Sequence, residues 1–229
     1  MTHRLIAIDG PAASGKSSTA AGVAERLGWA HLDSGSLYRA LTLAALDHLG
    51  DRGPQGWSGQ RVVALAAQLP VRLVLRGSAI VPEVAGVDVE EALRSDAVTA
   101  EVSGLAALPD VRTWVNEQQR AAVTDHTGVV VDGRDIGTVV FPDAPLKVFL
   151  VATPAERARR RLAQRGREPE AGEVAREAER LAARDHADAT RLVAPLRPAP
   201  DAVVVDTTRL SLEEQVARIV ALALECGLG

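Results

Sequence analysis

Residues 4–17 read Arg4-Leu5-Ile6-Ala7-Ile8-Asp9-Gly10-Pro11-Ala12-Ala13-Ser14-Gly15-Lys16-Ser17. The first six form a short apolar run ended by Gly-Pro, the pattern of a buried strand. The next eight fit Gly-x-x-x-x-Gly-Lys-Ser/Thr. Glycines let such a loop wrap closely, so that successive backbone N–H groups aim at phosphate oxygens. The helix predicted over Ser17 to Leu27, stopped by Gly28, adds its positive end at the same place. In this reading Lys16 bridges the β- and γ-phosphates of a nucleotide and the Ser17 hydroxyl ligates Mg2+. The chain of 229 residues holds 19 glycines and only two lysines, Lys16 and Lys147. A chance match in such a composition occurs in roughly one chain in a thousand, and here a strand precedes the motif and a helix follows it, as the chemistry needs.

Outward from this loop, strand and helix patterns alternate. Trp29 to Asp33 reads as a second strand. Ser36 to Leu49 reads as a helix, with Leu37, Leu41, Ala44, Ala45 and Leu49 at helical spacing and Gly50 closing it. Asp51 to Gly59 is a Gly- and Pro-rich surface loop, and Gln60 to Leu69 a helix. Val71 to Leu75, Ile80 to Val84 and Val87 to Val89 are short strands, a small β insertion broken by Gly77 and Gly86. Helical patterns run from Asp96 to Ala107 and Val111 to Thr124. Val129 to Asp132 and Leu146 to Val151 are continuous apolar strands of the kind buried in parallel sheets. Thr153-Pro154-Ala155-Glu156 opens a helix with a cap, a proline at its first turn and a capping-box glutamate. That helix and the next (Glu173 to His186), separated by Gly166-Arg167-Glu168-Pro169, are highly charged and are expected to form an exposed hairpin. Val203 to Asp206 is a last strand, and Ser211 to Glu214 caps a final amphipathic helix. The fold class is α/β: a P-loop parallel sheet flanked by helices, with a small mixed β insertion and a helical hairpin.

Composition excludes several functions. The net charge of −4 leaves no electrostatic footprint for a nucleic acid polymer. No apolar run reaches membrane-spanning length, and the N-terminus has no signal-peptide pattern. Cys226 is the single cysteine, so no internal disulfide forms, which suits a reducing cytosol. The expectation is a soluble, cytoplasmic monomer without a membrane or nucleic acid partner. A P-loop alone leaves kinase, GTPase, motor and regulatory switch open. The chain contains no Asn-Lys-x-Asp guanine-reading motif and is short for a motor.

A kinase needs a second cradle for its acceptor, and arginine grips phosphate bidentately. Three segments set arginine beside turn-forming residues: Asp33-Ser34-Gly35-Ser36-Leu37-Tyr38-Arg39, Asp132-Gly133-Arg134-Asp135, and Arg184-Asp185-His186-Ala187-Asp188-Ala189-Thr190-Arg191. Taken singly, Arg134 reads as an ion-paired surface arginine, Arg184 to Arg191 as a solvated helix end, Ser103 as an ordinary helix serine and Tyr38 as a packing residue.

The P-loop, Asp-Ser-Gly-x-x-Tyr-Arg, Asp-Gly-Arg-Asp followed by Ile-Gly-Thr-Val-Val-Phe-Pro-Asp-Ala, and Arg-Asp-x-x-Asp-x-x-Arg before Ala-Pro-Leu together resemble bacterial cytidylate kinases. The resemblance runs in order from about Ile6 to Ser211. It implies an adenylate-kinase-like fold that transfers the γ-phosphoryl group of Mg-ATP to CMP or dCMP. It divides the chain into a core (1–35, 104–155 and 190–229), a CMP-binding insertion (36–103) and a lid (156–189). ATP is implied to lie on Gly10, Pro11, Ala12, Ala13, Ser14, Gly15, Lys16, Ser17 and Ser18, with Arg157 and Arg161 resembling lid arginines. Arg159, Arg160, Arg165 and Arg167 crowd the same segment, and Gly166 to Gly172 departs from the pattern.

Carried over by motif, Arg39, Arg134 and Arg191 bind the CMP phosphate, beside Ser34. Arg184 and Asp188 meet the ribose and phosphate, and Ser103, Arg112 and Asp135 read cytosine. Base chemistry supports the last trio. Cytosine offers an N4 amine to a carboxylate such as Asp135, and acceptors at N3 and O2 to Arg112 and Ser103. Uracil reverses the pattern at positions 3 and 4 and strands buried groups unpaired. A phosphate monoester acceptor needs no strong general base, so Lys16, Arg134, Asp135 and Arg191 are the catalytic candidates. Asp132, ending its strand, fits either a water of the Mg2+ shell or a purely loop-organising role. Two rivals remain at this stage: a kinase for another acceptor, and a nucleotide-binding module without catalysis.

Overall fold

The computed structural model describes residues 4–50, 56–164, 170 and 172–229. Part of the expected Asp51 to Gly59 loop, the Gly166 to Pro169 separator, Arg165 and Arg167 lie outside the described residues. The chain divides into two compact units, residues 1–31 with 128–229, and residues 32–127.

The first unit is built on parallel strands β1 (Arg4–Asp9), β6 (Gly128–Gly133), β7 (Leu146–Val151) and β8 (Val203–Asp206), in the order β6-β1-β7-β8. All of β6 is buried, as its uninterrupted apolar run requires when helices cover both faces of a sheet. Ile6, Ile8, Val130, Val148, Leu150 and Val205 pack with Ala20, Val23 and Ala24 of α1 (Lys16–Leu27) and with Val216, Ile219 and Ala223 of α8 (Leu212–Glu225). With few aromatics available, close approach replaces bulk. Trp29 lies so tightly on β6 that a Cβ at Gly128 would fall 2.5 Å from its ring.

Register decides where the chemistry sits. Asp9 pairs with Gly133, and Phe149 of β7 with Asp9. The C-terminal ends of β1 and β6 therefore lie side by side, and the loop starting at Gly10 leaves the sheet next to the turn carrying Arg134 and Asp135. Ligands of open α/β sheets bind at this edge. Between β6 and β7 a π-helical turn spans Ile136–Val140, a segment the sequence reading leaves unassigned.

The charged hairpin is less exposed than expected. In α6 (Pro154–Ala163), opened by the Thr153 cap, Arg157, Ala158 and Leu162 are buried. In α7 (Glu173–Thr190), Glu177, Leu181 and Asp188 are buried, and the helix runs four residues past the expected end at His186. Ala158 and Leu181 close on Ala12 of the loop. Both helices carry one narrow face of small and apolar residues, which composition alone conceals behind the surrounding charge.

The second unit holds α2 (Ser34–Leu49), α3 (Gly59–Gln68), α4 (Asp96–Leu105), α5 (Pro109–Thr124) and strands β3 (Val71–Arg76), β4 (Ala79–Val84) and β5 (Val87–Asp88). Within the β patch, β4 pairs antiparallel with both β3 and β5. Leu37, Leu41, Val62, Leu105, Val111 and Val115 form its core. The remaining strand, β2 (Ala30–Asp33), spans the point where the units divide.

Candidate active site

The loop after β1 has the backbone its glycines allow. Gly10 has φ +152° and Gly15 +97°, and Ala13 takes φ +58° without being glycine. A side chain at Gly10 is excluded outright, because a Cβ there would lie 2.2 Å from the Leu150 carbonyl oxygen. Gly15 caps α1 with no side-chain acceptor, so the first N–H groups of the helix are left for a ligand. The loop's carbonyls are taken by protein. Ser14 O accepts from Arg160 Nη1 at 3.2 Å and Thr207 Oγ1 at 3.1 Å. Below it, Thr19 Oγ1 donates to Gln215 Oε1 at 2.8 Å. Lys16 is 6% exposed and donates from Nζ to Pro11 O at 2.8 Å, folding over the loop. Ser14 Oγ is buried with no hydrogen-bond partner among the described residues, as expected of a group that meets a phosphate oxygen.

Ser17 lies at the solvent-facing start of α1, and its Oγ donates to Asp132 Oδ2 at 2.7 Å. Asp132 is 2% exposed, and its other oxygen is 2.8 Å from His31 Nε2. The two candidates for Mg2+ are thus in contact, and a hydroxyl with a carboxylate is the hard oxygen set that suits this ion beside waters and substrate phosphates. Among the described residues no cluster of three or more His, Cys, Asp or Glu offers a protein-only metal cage.

The helical hairpin grips the loop tip. Asp185 Oδ1 accepts from Ala12 N at 2.9 Å, Arg157 Nη1 donates to Ala12 O at 3.1 Å, and Arg157 and Asp185 pair with each other. Of the four crowded arginines on α6, Arg159 pairs with Glu156, and Arg157 is tied to Ala12 and Asp185. Arg160 bridges Ser14 O, Thr207 and Glu156, and Arg161 turns to Gln164 Oε1 at 3.2 Å. Sequence reasoning singled out Arg157 and Arg161, named Arg160 only among the arginines crowding the segment, and gave Asp185 no role beyond its place in the motif. Their spacing on helical faces was the available signal, but Arg157 with Arg160 and Arg157 with Arg161 satisfy that spacing equally.

Four expected acceptor-side residues form one cluster in the first unit. Arg134 Nε donates to Asp188 Oδ2 at 3.1 Å, Arg191 Nη1 lies 3.8 Å from Asp188 Oδ1, and Arg191 Nη2 donates to Asp135 Oδ1 at 3.4 Å. Arg184 is half-buried one turn before Asp188 on α7. The pairing explains the length of α7: Asp188 is buried on it and closes the cluster. Beneath lies Asp9, 4% exposed, whose carboxylate accepts from Ile136 N and Gly137 N at 2.8 Å each. Burial pushes its pKa up to about 6; the two backbone N–H groups and Lys16 oppose the rise, and nearby Asp135 adds to it.

In the second unit, Ser34 begins α2, capped by Asp33, and its carbonyl accepts from Gln119 Nε2 at 3.1 Å. Arg39 Nη1 donates to Leu93 O at 3.0 Å and Thr99 Oγ1 at 3.1 Å. Arg112, 3% exposed, donates to Ala106 O at 3.1 Å and lies over the Tyr38 ring, 5.6 Å from its centroid. Tyr38 therefore has the packing role its sequence position implies, with a cation on its face. Ser103 is half-buried on α4.

The family model described as cytidylate kinase matches residues 6–225. The chain is 45% identical over 219 residues to a protein named cytidylate kinase from Stutzerimonas stutzeri (strain A1501), covering 95% of this chain and 93% of that one. It is 43% identical over 220 residues to one of the same name from Pseudomonas aeruginosa (strain LESB58), covering 94% and 93%. Among solved structures, TT1252 from Thermus thermophilus matches over 98% of both chains with a TM-score of 0.51 and 18% identity, a likeness of fold.

Proposed function

The chain belongs to the cytidylate kinase family, and on that premise we propose that it moves the γ-phosphoryl group of ATP to CMP or dCMP, giving CDP or dCDP in pyrimidine nucleotide metabolism. The observation that carries this reading is the register Asp9 to Gly133, which sets the phosphate loop beside the turn holding Arg134 and Asp135. A donor cradle and an acceptor-side arginine cluster thereby share one sheet edge.

The acceptor phosphate is largely dianionic at neutral pH, its second pKa being about 6, so it attacks without a general base. The protein's task is alignment and charge neutralisation of a loose, metaphosphate-like transition state. Lys16 and the N–H groups from Ser14 to Ser18 hold the donor phosphates, with Gly10 to Ala13 forming the wall of the cradle. Arg134, Arg191 and Arg39 are assigned to the acceptor phosphate by their motifs. The first two are held by Asp188 and Asp135, a preorganisation that lowers the cost of gripping a dianion. Ser17 and Asp132 would hold Mg2+, directly and through water. That ion, when bound, supplies charge neutralisation at the transferring phosphoryl oxygens. Arg157 and Arg161 belong to the lid over ATP, whose closure excludes water and so prevents wasteful hydrolysis.

For the base, Asp135 accepts from the N4 amine, and Ser103 and Arg112 donate to N3 and O2. Ser34, Arg184 and Asp188 serve the ribose and phosphate region. We further assign 1–35, 104–155 and 190–229 to the core, 36–103 to the CMP-binding insertion and 156–189 to the lid. Among the described residues no helix is long and apolar enough to cross a membrane; a cytoplasmic monomer remains part of the proposal. The test is ADP formation from Mg-ATP with CMP, dCMP, UMP, AMP and GMP separately. Turnover confined largely to CMP and dCMP is expected. Turnover with AMP or GMP would overturn the base assignment, and silence with every acceptor would overturn the kinase reading.

A further inference from the structure

The reaction as derived uses no strong base, yet a buried carboxylate lies under the site. Asp9 is the last residue of β1 and the immediate neighbour of Gly10. Its side chain spends both oxygens on consecutive backbone N–H groups 127 and 128 residues away, Ile136 N and Gly137 N, each at 2.8 Å. Those two residues open the π-helical turn directly after Asp135. Asp135 is the N-terminal flank of that turn with φ −147° and ψ 25°, and its carbonyl accepts from Val139 N at 2.8 Å and Val140 N at 3.2 Å. A run of Ile, Thr and two Val has no intrinsic preference for such a turn. What fixes it is an acceptor aimed at its first two N–H groups, which are otherwise unsatisfied at a helix start. That acceptor is anchored in a central strand, so it defines position as well as presence.

We propose that Asp9 is a positioning residue for base selection: by holding the Ile136–Gly137 peptide groups it sets where the Asp135 carboxylate stands, and thereby the preference for an acceptor base carrying an exocyclic amine. This rests on the reading of Asp135 as the group that accepts from cytosine N4. Asp9 touches neither nucleotide; it acts through the turn. The side chain reaches from the strand that starts the phosphate loop to the turn that carries the base reader, so the two halves of the chemistry are located from one residue. Asn could not replace it, because one of its two ends is an NH2 donor and would face a backbone N–H. Glu keeps the charge but moves the oxygens by a methylene, and cannot meet both N–H groups with the turn in place.

The experiment compares kcat/KM for CMP and UMP in the wild type, Asp9→Asn, Asp9→Glu, Asp135→Asn and the double variant Asp9→Asn/Asp135→Asn. Displacing a reading group by an ångström costs on the order of 100-fold, so Asp9→Asn and Asp9→Glu are each expected to lower the CMP/UMP ratio about 10- to 100-fold, mainly through CMP. In the Asp135→Asn background, Asp9→Asn is expected to change the ratio no further, because a residue acting through Asp135 has nothing left to act on. An equal loss for both acceptors with the ratio kept would overturn the proposal, as would an additive double variant. If Asp135→Asn alone leaves the ratio intact, the base-reading assignment fails, and this is told apart from failure of the Asp9 step by that single variant. Should Asp9→Asn not fold, Asp9→Glu carries the comparison. Should neither fold, hydrogen exchange in the wild type decides: slow exchange at Ile136 and Gly137 upholds the proposal, and exchange as fast as in open loops overturns it.

Discussion

Replacing Asp9 by Asn should change how stability depends on pH, in a direction opposite to ordinary acid denaturation. An aspartate titrates near 3.8 in the open chain, whereas burial lifts the folded value to about 6. Between those values the folded protein holds a proton that the unfolded chain has released. Stability contributed by this group is therefore full below about pH 3.8 and is lost as pH rises towards 6. The separation is about two pH units at 1.36 kcal/mol each, or about 3 kcal/mol in all. Between pH 4.5 and 7 the linkage relation gives a fall of about 2 kcal/mol, levelling above. Asn carries no titrating proton, and its loss of one N–H acceptor adds an offset independent of pH. Urea unfolding of both proteins at 25 °C from pH 4.5 to 7.5 isolates the effect, because every other titrating group is common to the two. Exposed Asp201, Asp206 and Glu214, each held below the usual range by hydrogen bonds (from Lys147, Thr208 and Ser211), give slopes of the opposite sign that cancel in the difference. The wild-type minus variant curve should descend with pH. A flat or rising curve would refute the claim that Asp9 is ionised against the cost of its burial.

Gly10→Ala should abolish ATP binding and destabilise the protein by about 1–3 kcal/mol or more, since a Cβ 2.2 Å from the Leu150 carbonyl oxygen forces the loop off its strand; nucleotide titration and thermal unfolding read both. Arg157→Ala should lower stability by about 3 kcal/mol in urea unfolding, by leaving the part-buried Asp185 carboxylate without its cation and Ala12 O without that donor. Adding Asp185→Ala should return part of that loss.

Much of the fold was legible in the chain because its signals are local. Gly10, Gly15 and Lys16 declare a phosphate loop within eight residues. Apolar runs at Arg4–Asp9, Val129–Asp132 and Leu146–Val151 declare buried parallel strands, the second running Gly128–Gly133 in the structure, and Ser211 with Glu214 declares a helix start that the structure closes as a capping box. The arginine motifs pointed to an acceptor phosphate because charge, spacing and turn-forming residues stand together in sequence. Other features depend on partners far apart in the chain. Nothing near Asp9 announces that Ile136 and Gly137 will donate to it, nor near Asp185 that it will meet Ala12, 173 residues away. The π-helical turn reads locally as β-branched residues without a preferred structure, until an acceptor from another strand supplies its N–H groups with partners. On α6, Arg157, Arg160 and Arg161 are indistinguishable by periodicity, and only the Ala12 and Ser14 carbonyls sort them. Sequence by itself determined the phosphate loop, the alternation of elements and the supply of arginine. Tertiary structure alone decided which charges became buried and what they hold, because burial and long-range hydrogen bonds exist only once the strands have taken their register.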